Sequence, residues 1–445
     1  MTAHDETMTL ALFHLPVGVE GAWRRAGSGA EKLYGLELPK AAAMRAEGAC
    51  LDAVVFGDRL SFDDNAMGPD PSGYDPITTA AALVDATQRI GLVATASTTF
   101  TEPYRVARQL SSIDALSRGR AGWNIVTSRV GEENFSMGSL PPAAERYARA
   151  EEYLEVVTAL WEAWAPDSVI DDRAAGIWAD TTKIRRVDHV GRRFSVRGPL
   201  NVPRSPQTRP VLMQAGQSGP GQAFAARTAE AIFTVRGDLA AAQAFYASMK
   251  AQIRGCGRDP KRIRILPGLT VLVGETEAEA QRLHRSLFDL SDVGGAYERL
   301  SRALGGVKLD DIGLDDGIPA DRLPPPDQVA DGHRTLFFEG SSSRYANFYE
   351  AAVGRRLSVR RLMHEVLHAG GYALAVGTVE QVADEMERWF RARACDGFIL
   401  SAALMPDGLA AICDRLVPEL QSRGLFRTEY HGRTLRDHLR DTTRV

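Results

Sequence analysis

Neither sign of charge dominates this chain. Its 53 lysines and arginines stand against 57 aspartates and glutamates, a formal charge of −4. A general electrostatic grip on nucleic acid or on an anionic membrane is thereby excluded. No apolar run approaches the ~18 residues of a membrane span. The opening segment, MTAHDETMTLALFHLP, is acidic where a secretory leader is basic, so a cytoplasmic protein is expected. Cysteine is scarce: Cys50, Cys256, Cys395 and Cys413 match no zinc or redox spacing and read as packing residues. The dinucleotide fingerprint G-x-G-x-x-G is missing, and no repeat, low-complexity tract or linker stands out. What remains is ordinary globular composition, 44% hydrophobic and 25% charged, in a chain of 445 residues with ample length for a core.

Eight short, continuously apolar and β-branched bursts punctuate the sequence: TLALFHL (9–15), AVVFGD (53–58), GLVATASTT (91–99), GRAGWNIVTS (119–128), PVLMQAG (210–216), AIFTV (231–235), RILPGLTVLVG (264–274) and DGFILS (396–401). Such strands belong to a parallel sheet covered on both faces. Between them run helical stripes, for example Tyr153, Val157, Leu160 and Trp164, then Leu239, Ala242, Tyr246, Met249 and Ile253, then Leu409, Ile412, Cys413, Leu416 and Leu420. Strand alternating with helix eight times predicts a closed (β/α)₈ barrel, with a doubly wound open sheet as the alternative. Two interruptions, about 165–208 and 290–370, read as insertions into a single domain over 1–445. The Arg-rich tail at 423–440 reads as a solvated closing segment.

A barrel of this kind carries its site at the carboxyl ends of the strands. Asp58 ends the second burst; its carboxylate can accept hydrogen bonds from a ligand, or else cap a helix or pair with Arg59. Thr95, Ser97 and Thr99 alternate along the third strand and so point the same way, into the barrel or onto backbone carbonyls. QAGQSGPG (214–221) follows a strand and opens a helix; backbone amides, the helix dipole and Ser218 together suit one phosphate.

Residues 364–368 spell His-Glu-Val-Leu-His, a formal H-E-x-x-H zinc string with Glu365 as its base. Against a zinc peptidase, position 374 is Leu where a third histidine would complete the longer motif. The apolar stripe Val359, Leu362, Met363 and Val366 turns both histidines away from the core. A solvent-facing helix and no metal are therefore expected, Glu385 or Glu387 being the only distant third ligands to suggest themselves.

Several long runs carry a resemblance. GRAGWNIVTS (119–128), STTFTEPYRVAR (97–108), DHVGRRFSVRGPLNVPRSPQTRPVLMQAG (188–216) and PELQSRGLFRTEYHGRTLRDHL (418–439) are similar to the nitrilotriacetate monooxygenase component A, pristinamycin synthase and dibenzothiophene-sulfone monooxygenase group. These are flavin-dependent monooxygenases of the bacterial-luciferase-like barrels. The resemblance spans nearly the whole chain and is weakest over about 290–370. It implies a barrel that binds FMN, reduced by a separate reductase, and that oxygenates a small organic substrate with molecular oxygen through a flavin hydroperoxide. A homo-oligomer is implied by the same analogy. Carried over residue by residue, the FMN contacts fall on Asp58, Thr95 (or Ser97), Tyr147 in ERYARAEEYLEV, and Ser218. Two family histidine positions hold Gly18-Val19 and Ala143 here, which leaves the catalytic acid or base unassigned and His14 the nearest imidazole. The rival expectations are a deazaflavin- or flavin-dependent hydride transfer on the same fold, and a flavin-binding protein without turnover.

Overall fold

The structure, a computed structural model, describes residues 6–62, 68–69, 73–216, 218–291, 293–328, 342–364, 368 and 372–440. The strands are β1 (Thr9–Phe13), β2 (Ala53–Phe56), β3 (Gly91–Ser97), β4 (Ala121–Val126), two outlying hairpins β5 (Val169–Asp172) with β6 (Ile177–Ala179) and β7 (His189–Val190) with β8 (Ser195–Val196), then β9 (Val211–Gln214), β10 (Ala231–Thr234), β11 (Arg264–Val273), β12 (Ala373–Gly377) and β13 (Gly397–Ala402). Parallel ladders run β1-β2-β3-β4-β9-β10-β11-β13 and back to β1, a closed eight-stranded barrel. Its eight strands are the eight apolar bursts. Both hairpins lie within the first expected insertion. β12 was not foreseen; it adds to the second half of β11, with Leu269 to Val273 paired to Ala373 to Gly377.

Helices cover the barrel: α1 (Glu37–Gly48), α2 (Pro76–Ala82), α3 (Pro103–Leu116), α4 (Ala143–Trp161), α5 (Gly219–Thr228), α6 (Leu239–Gly255), α7 (Glu277–Leu290), and, past the second insertion, α11 (Val379–Arg391). α4 buries Tyr147, Ala150, Tyr153, Leu154, Val157 and Leu160 against the strands and stops at Trp161, so Trp164 lies beyond it. α11 starts where Thr378 and Gln381 exchange side-chain and backbone hydrogen bonds, a capping box that satisfies two orphan donors. The second insertion carries α8 (Val293–Ala303), α9 (Ser342–Tyr349) and α10 (Val359–His364). It builds its own apolar cluster, including Leu300, Phe348, Leu362 and Met363, and α7 contributes Phe288 to it.

Inward residues alternate along the strands: Ala11, Val55, Val93, Met213, Phe233 and Ile399 share one cluster inside the barrel. Leu435 and Leu439 join that cluster, which corrects the expectation of a solvated tail. The tail helix Leu435–Arg440 closes the amino-end mouth: Leu435 N–H donates to the Gly119 carbonyl at 2.9 Å, and Arg264 Nε donates to the Leu439 carbonyl at 2.6 Å. Arg436 of this helix does not need solvent, since it forks onto Glu230 at 2.7 and 2.9 Å.

Burial of neutral imidazoles gives the fold an acid limit. His438 is fully buried beside Tyr430, and burial first, then Arg427 and Arg89, hold it at about 3. Burial holds His14 at about 4. Both values lie below the unfolded 6.5, so the unfolded chain takes up more protons as pH falls. The stability these groups contribute is full above about pH 6.5 and is lost towards pH 4, at up to about 1.4 kcal/mol per pH unit for each. Urea midpoints measured at pH 7 and pH 5 should therefore differ sharply, and His438→Phe should flatten the dependence; parallel profiles for the two proteins would contradict this account.

Candidate functional site

The turn between β9 and α5 is built by close backbone approach. A Cβ at Gly221 would stand 2.5 Å from Tyr147 Oη and 2.9 Å from Gly216 Cα. At Gly216 a Cβ would meet Gly221 Cα at 2.8 Å and Tyr147 Oη at 2.9 Å. Only glycine fits either place, so the Tyr147 hydroxyl lies directly over the turn. The Tyr147 ring is itself fixed against Phe224 of α5, with centroids 6.1 Å apart. Ser218 is the N-cap of α5: its side chain accepts the Gly221 N–H at 3.3 Å, which leaves its own O–H to donate. Pro220 brings no amide, and the Gly216 N–H is held by Gln214 Oε1 at 2.7 Å. The donors for an anion are thus the Ser218 and Tyr147 hydroxyls and the leading amides of α5, at the positive end of its dipole. The structure brings Tyr147 and Ser218 together, as expected, and adds Gln214, which the sequence reading missed.

A second group lies at the carboxyl ends of β2, β3 and β4. Thr95 Oγ1 donates to the Phe56 carbonyl at 2.8 Å and accepts from Asn124 Nδ2 at 2.9 Å. Its hydroxyl is fully engaged, so the backbone-carbonyl reading holds for Thr95. Ser97 is engaged too: its Oγ accepts from the Thr99 and Phe100 amides at 3.2 and 3.3 Å and from Ser128 Oγ at 2.7 Å. Thr99 donates to the Thr127 carbonyl at 2.7 Å. Three of the buried atoms without a hydrogen-bond partner among the described residues lie near these strand ends: Asn124 Oδ1, Ser401 Oγ on β13 and His14 Nδ1 just past β1. All three are buried. Buried polar atoms of this kind ask for a partner, and these three lie toward the carboxyl ends of β4, β13 and β1. His14 is a core histidine with one ring nitrogen, Nδ1, left without a partner among the described residues. It packs edge-on to Phe56 at 5.7 Å and is neutral at pH 7. Asp58 is half-buried, two residues beyond the end of β2 and of the carbonyl that receives Thr95.

The H-E-x-x-H string behaves otherwise than expected. His364 and His368 are buried, not solvent-facing, and their near neighbour is His284 of α7. Glu365 and Val366 lie outside the described residues. The suggested third ligands are occupied elsewhere: Glu385 holds Arg388 and Trp389 Nε1, and Glu387 holds Arg391 and Arg423.

The closed barrel agrees with sequence comparison, in which the luciferase-like monooxygenase profile matches residues 36–396. The chain belongs to the luciferase-like monooxygenase family. It is 40% identical over 441 residues to N-acetyl-S-(2-succino)cysteine monooxygenase of Bacillus subtilis (strain 168), covering 98% of this chain and 97% of that one. It is 37% identical over 450 residues to nitrilotriacetate monooxygenase component A of Aminobacter aminovorans, covering 98% and 96%. Among solved structures, EDTA monooxygenase from Chelativorans sp. BNC1 superposes with a TM-score of 0.82 at 32% identity over 97% of this chain and 98% of that one. The chain is accordingly a flavin-dependent monooxygenase. No helix among the described residues of this monooxygenase is long and apolar enough to cross a membrane. At the two positions where the resemblance predicts histidines, the structure explains their loss in one case. Gly18 has φ +85°, and a Cβ there would sit 2.5 Å from the Ala403 carbonyl oxygen, so no imidazole fits without moving the segment after β13. Ala143 stands half-exposed at the first position of α4, where nothing in the structure forbids a larger side chain.

Proposed function

We propose that this monooxygenase uses FMN, received already reduced from a separate reductase, to oxygenate a small organic molecule. The observation that carries the reading is the β9–α5 turn under Tyr147, which offers one phosphate's worth of donors at a helix N-terminus. A mononucleotide suits that turn, and no dinucleotide fingerprint exists in the sequence to hold a second phosphate. Bound reduced flavin supplies the two electrons that let one oxygen atom of O₂ enter the substrate while the other leaves as water.

The chain's own residues then divide the work. Ser218 and Tyr147 hold the phosphate by their hydroxyls. Asp58 accepts hydrogen bonds from the ligand beyond β2. Thr95 acts through Asn124, whose Nδ2 it anchors so that the Oδ1 acceptor stays directed to the ligand. His14, neutral in its apolar setting, holds or receives a proton at Nδ1, the role left vacant at Gly18 and Ala143. The described part of the 290–370 insertion, α8 to α10, keeps water from the site. Four free thiols accord with a reducing cytoplasm, and a homo-oligomer follows the analogy with related barrels.

Anaerobic titration with photoreduced FMN tests the reading. Saturable binding is expected, with Ser218→Ala weakening it about ten-fold, about 1.4 kcal/mol, for one lost charge-assisted hydrogen bond. Binding of reduced FMN that ignores Ser218, or no binding at all, would remove the turn from the account.

A further inference from the structure

We propose that His284, His364 and His368 form a metal site for a divalent late-transition ion, Zn²⁺ foremost, that staples the second insertion to helix α7. Each residue offers a ring nitrogen, and the three nitrogens lie within 4.8 Å of one another. His364 Nδ1 and His284 Nε2 are already 3.2 Å apart. With Zn–N bonds of about 2.05 Å, two tetrahedral ligands stand about 3.3 Å apart, so one edge of the triangle has its final length and the others need only small rotamer adjustments. The three rings are clustered face and edge, with centroids 4.5, 5.0 and 5.2 Å apart.

The cluster is otherwise hard to account for. His368 is 2% exposed, and neither of its ring nitrogens has a hydrogen-bond partner among the described residues. Leaving both buried costs free energy that a metal–ligand bond removes. The one contact between His364 and His284 satisfies a single pair of atoms. Phe288 stacks on His364 at 4.3 Å and walls that side from water. In this setting the imidazoles are uncharged, as ligands must be: burial, with Arg361 and Arg285 adding, lowers His284 to about 4, and burial, with His284 and Arg360 adding, lowers His364 to about 3.

The surroundings select the kind of ion. Arg285 and Arg361 are exposed beside the cluster, while Arg360 is engaged by Asp315 at 2.8 and 3.0 Å. A cation here is opposed by the local field and must be held by ligand bonds. That disfavours hard ions such as Mg²⁺ and Ca²⁺, which seek carboxylates, and favours ions that bind imidazole strongly. Three protein ligands leave a fourth position for water or another group. The site closes a long excursion, since His284 lies in α7 and His364 ends α10, eighty positions later. Between them runs the insertion core to which Phe288, Leu362 and Met363 all belong. The metal thus acts where barrel and insertion meet, and the inference does not depend on the flavin reading.

The test uses the full chain without a polyhistidine tag, stripped by a chelator and titrated with Co²⁺. Visible absorption of tetrahedral intensity is expected, saturating at one equivalent and displaced by Zn²⁺. His284→Phe, similar in volume and apolar, should abolish it. Should that variant fold poorly, thermal melts of the unaltered protein still decide: Zn²⁺ should raise the melting temperature and Mg²⁺ should not. Two results would overturn the proposal: a stripped protein whose Co²⁺ spectrum is that of the free aqueous ion, or a tetrahedral spectrum that survives unchanged in a folded His284→Phe.

Discussion

Gly221→Val is expected to weaken flavin binding at least a hundred-fold, about 2.7 kcal/mol, while the chain stays folded. The branched side chain cannot be placed without displacing backbone. Its Cβ alone would stand 2.9 Å from Gly216 Cα and 3.1 Å from the Gly216 carbonyl carbon. Gly216 cannot recede, because its N–H is tied to Gln214 at the end of β9. The added methyls would then occupy the space between the turn and the Tyr147 hydroxyl, where the phosphate is proposed to lie. Gly221 is an early residue of α5, so valine there has little reason to unfold the barrel. Combining the change with Tyr147→Phe separates its two contacts. That pair relieves the 2.5 Å approach to Oη but not the approach to Gly216, and it removes one of the proposed phosphate donors, so affinity should not recover. Flavin titration beside far-UV circular dichroism reads both quantities; unchanged affinity in a folded variant would place the phosphate elsewhere.

The barrel was legible because parallel strands buried on both faces have to be apolar throughout, and all eight such bursts became its staves. Ser218 followed from them, since it stands in the turn between β9 and α5; Tyr147, which α4 brings over that turn, came only from the family resemblance. Thr95 shows where such reading stops. Alternation told which way the hydroxyl points, but not that the Phe56 carbonyl and Asn124 would claim it and leave Asn124 as the unpartnered group. The tail failed for a related reason. Leu435 and Leu439 are four apart among arginines, and only the structure shows Glu230 neutralising Arg436 so that this short stripe can enter the barrel. The histidine string fails the same way: lying off the stripe of Val359, Leu362 and Met363 suggests solvent, yet His364 and His368 are buried. That other face meets α7 rather than water, and no spacing rule links His364 to His284 eighty positions before it.

Asp52→Ala should cost about 3–5 kcal/mol of stability, the range for breaking a buried ion pair by removing one member. Asp52 sits immediately before β2 with its carboxylate almost wholly enclosed; one oxygen accepts the Leu10 N–H at 2.7 Å and the other pairs with Arg427 Nη2. Arg427 also donates through Nε to the Cys50 carbonyl at 3.0 Å and lies over the Tyr430 ring at 5.1 Å. Removing the carboxylate leaves a buried guanidinium uncompensated and a strand amide without its acceptor. Both lie where the tail meets the amino ends of β1 and β2, so the tail plug should loosen with them. Asp52→Asn keeps an acceptor for Leu10 while losing the charge, and should fall between wild type and Asp52→Ala. The double variant Asp52→Ala with Arg427→Met removes the stranded charge as well and should be more stable than Asp52→Ala alone. Chemical denaturation of these four proteins and of Arg427→Met alone measures this. A double variant that merely sums two single losses would mean that the two side chains stabilise the barrel independently, and that the tail is held by its leucines instead.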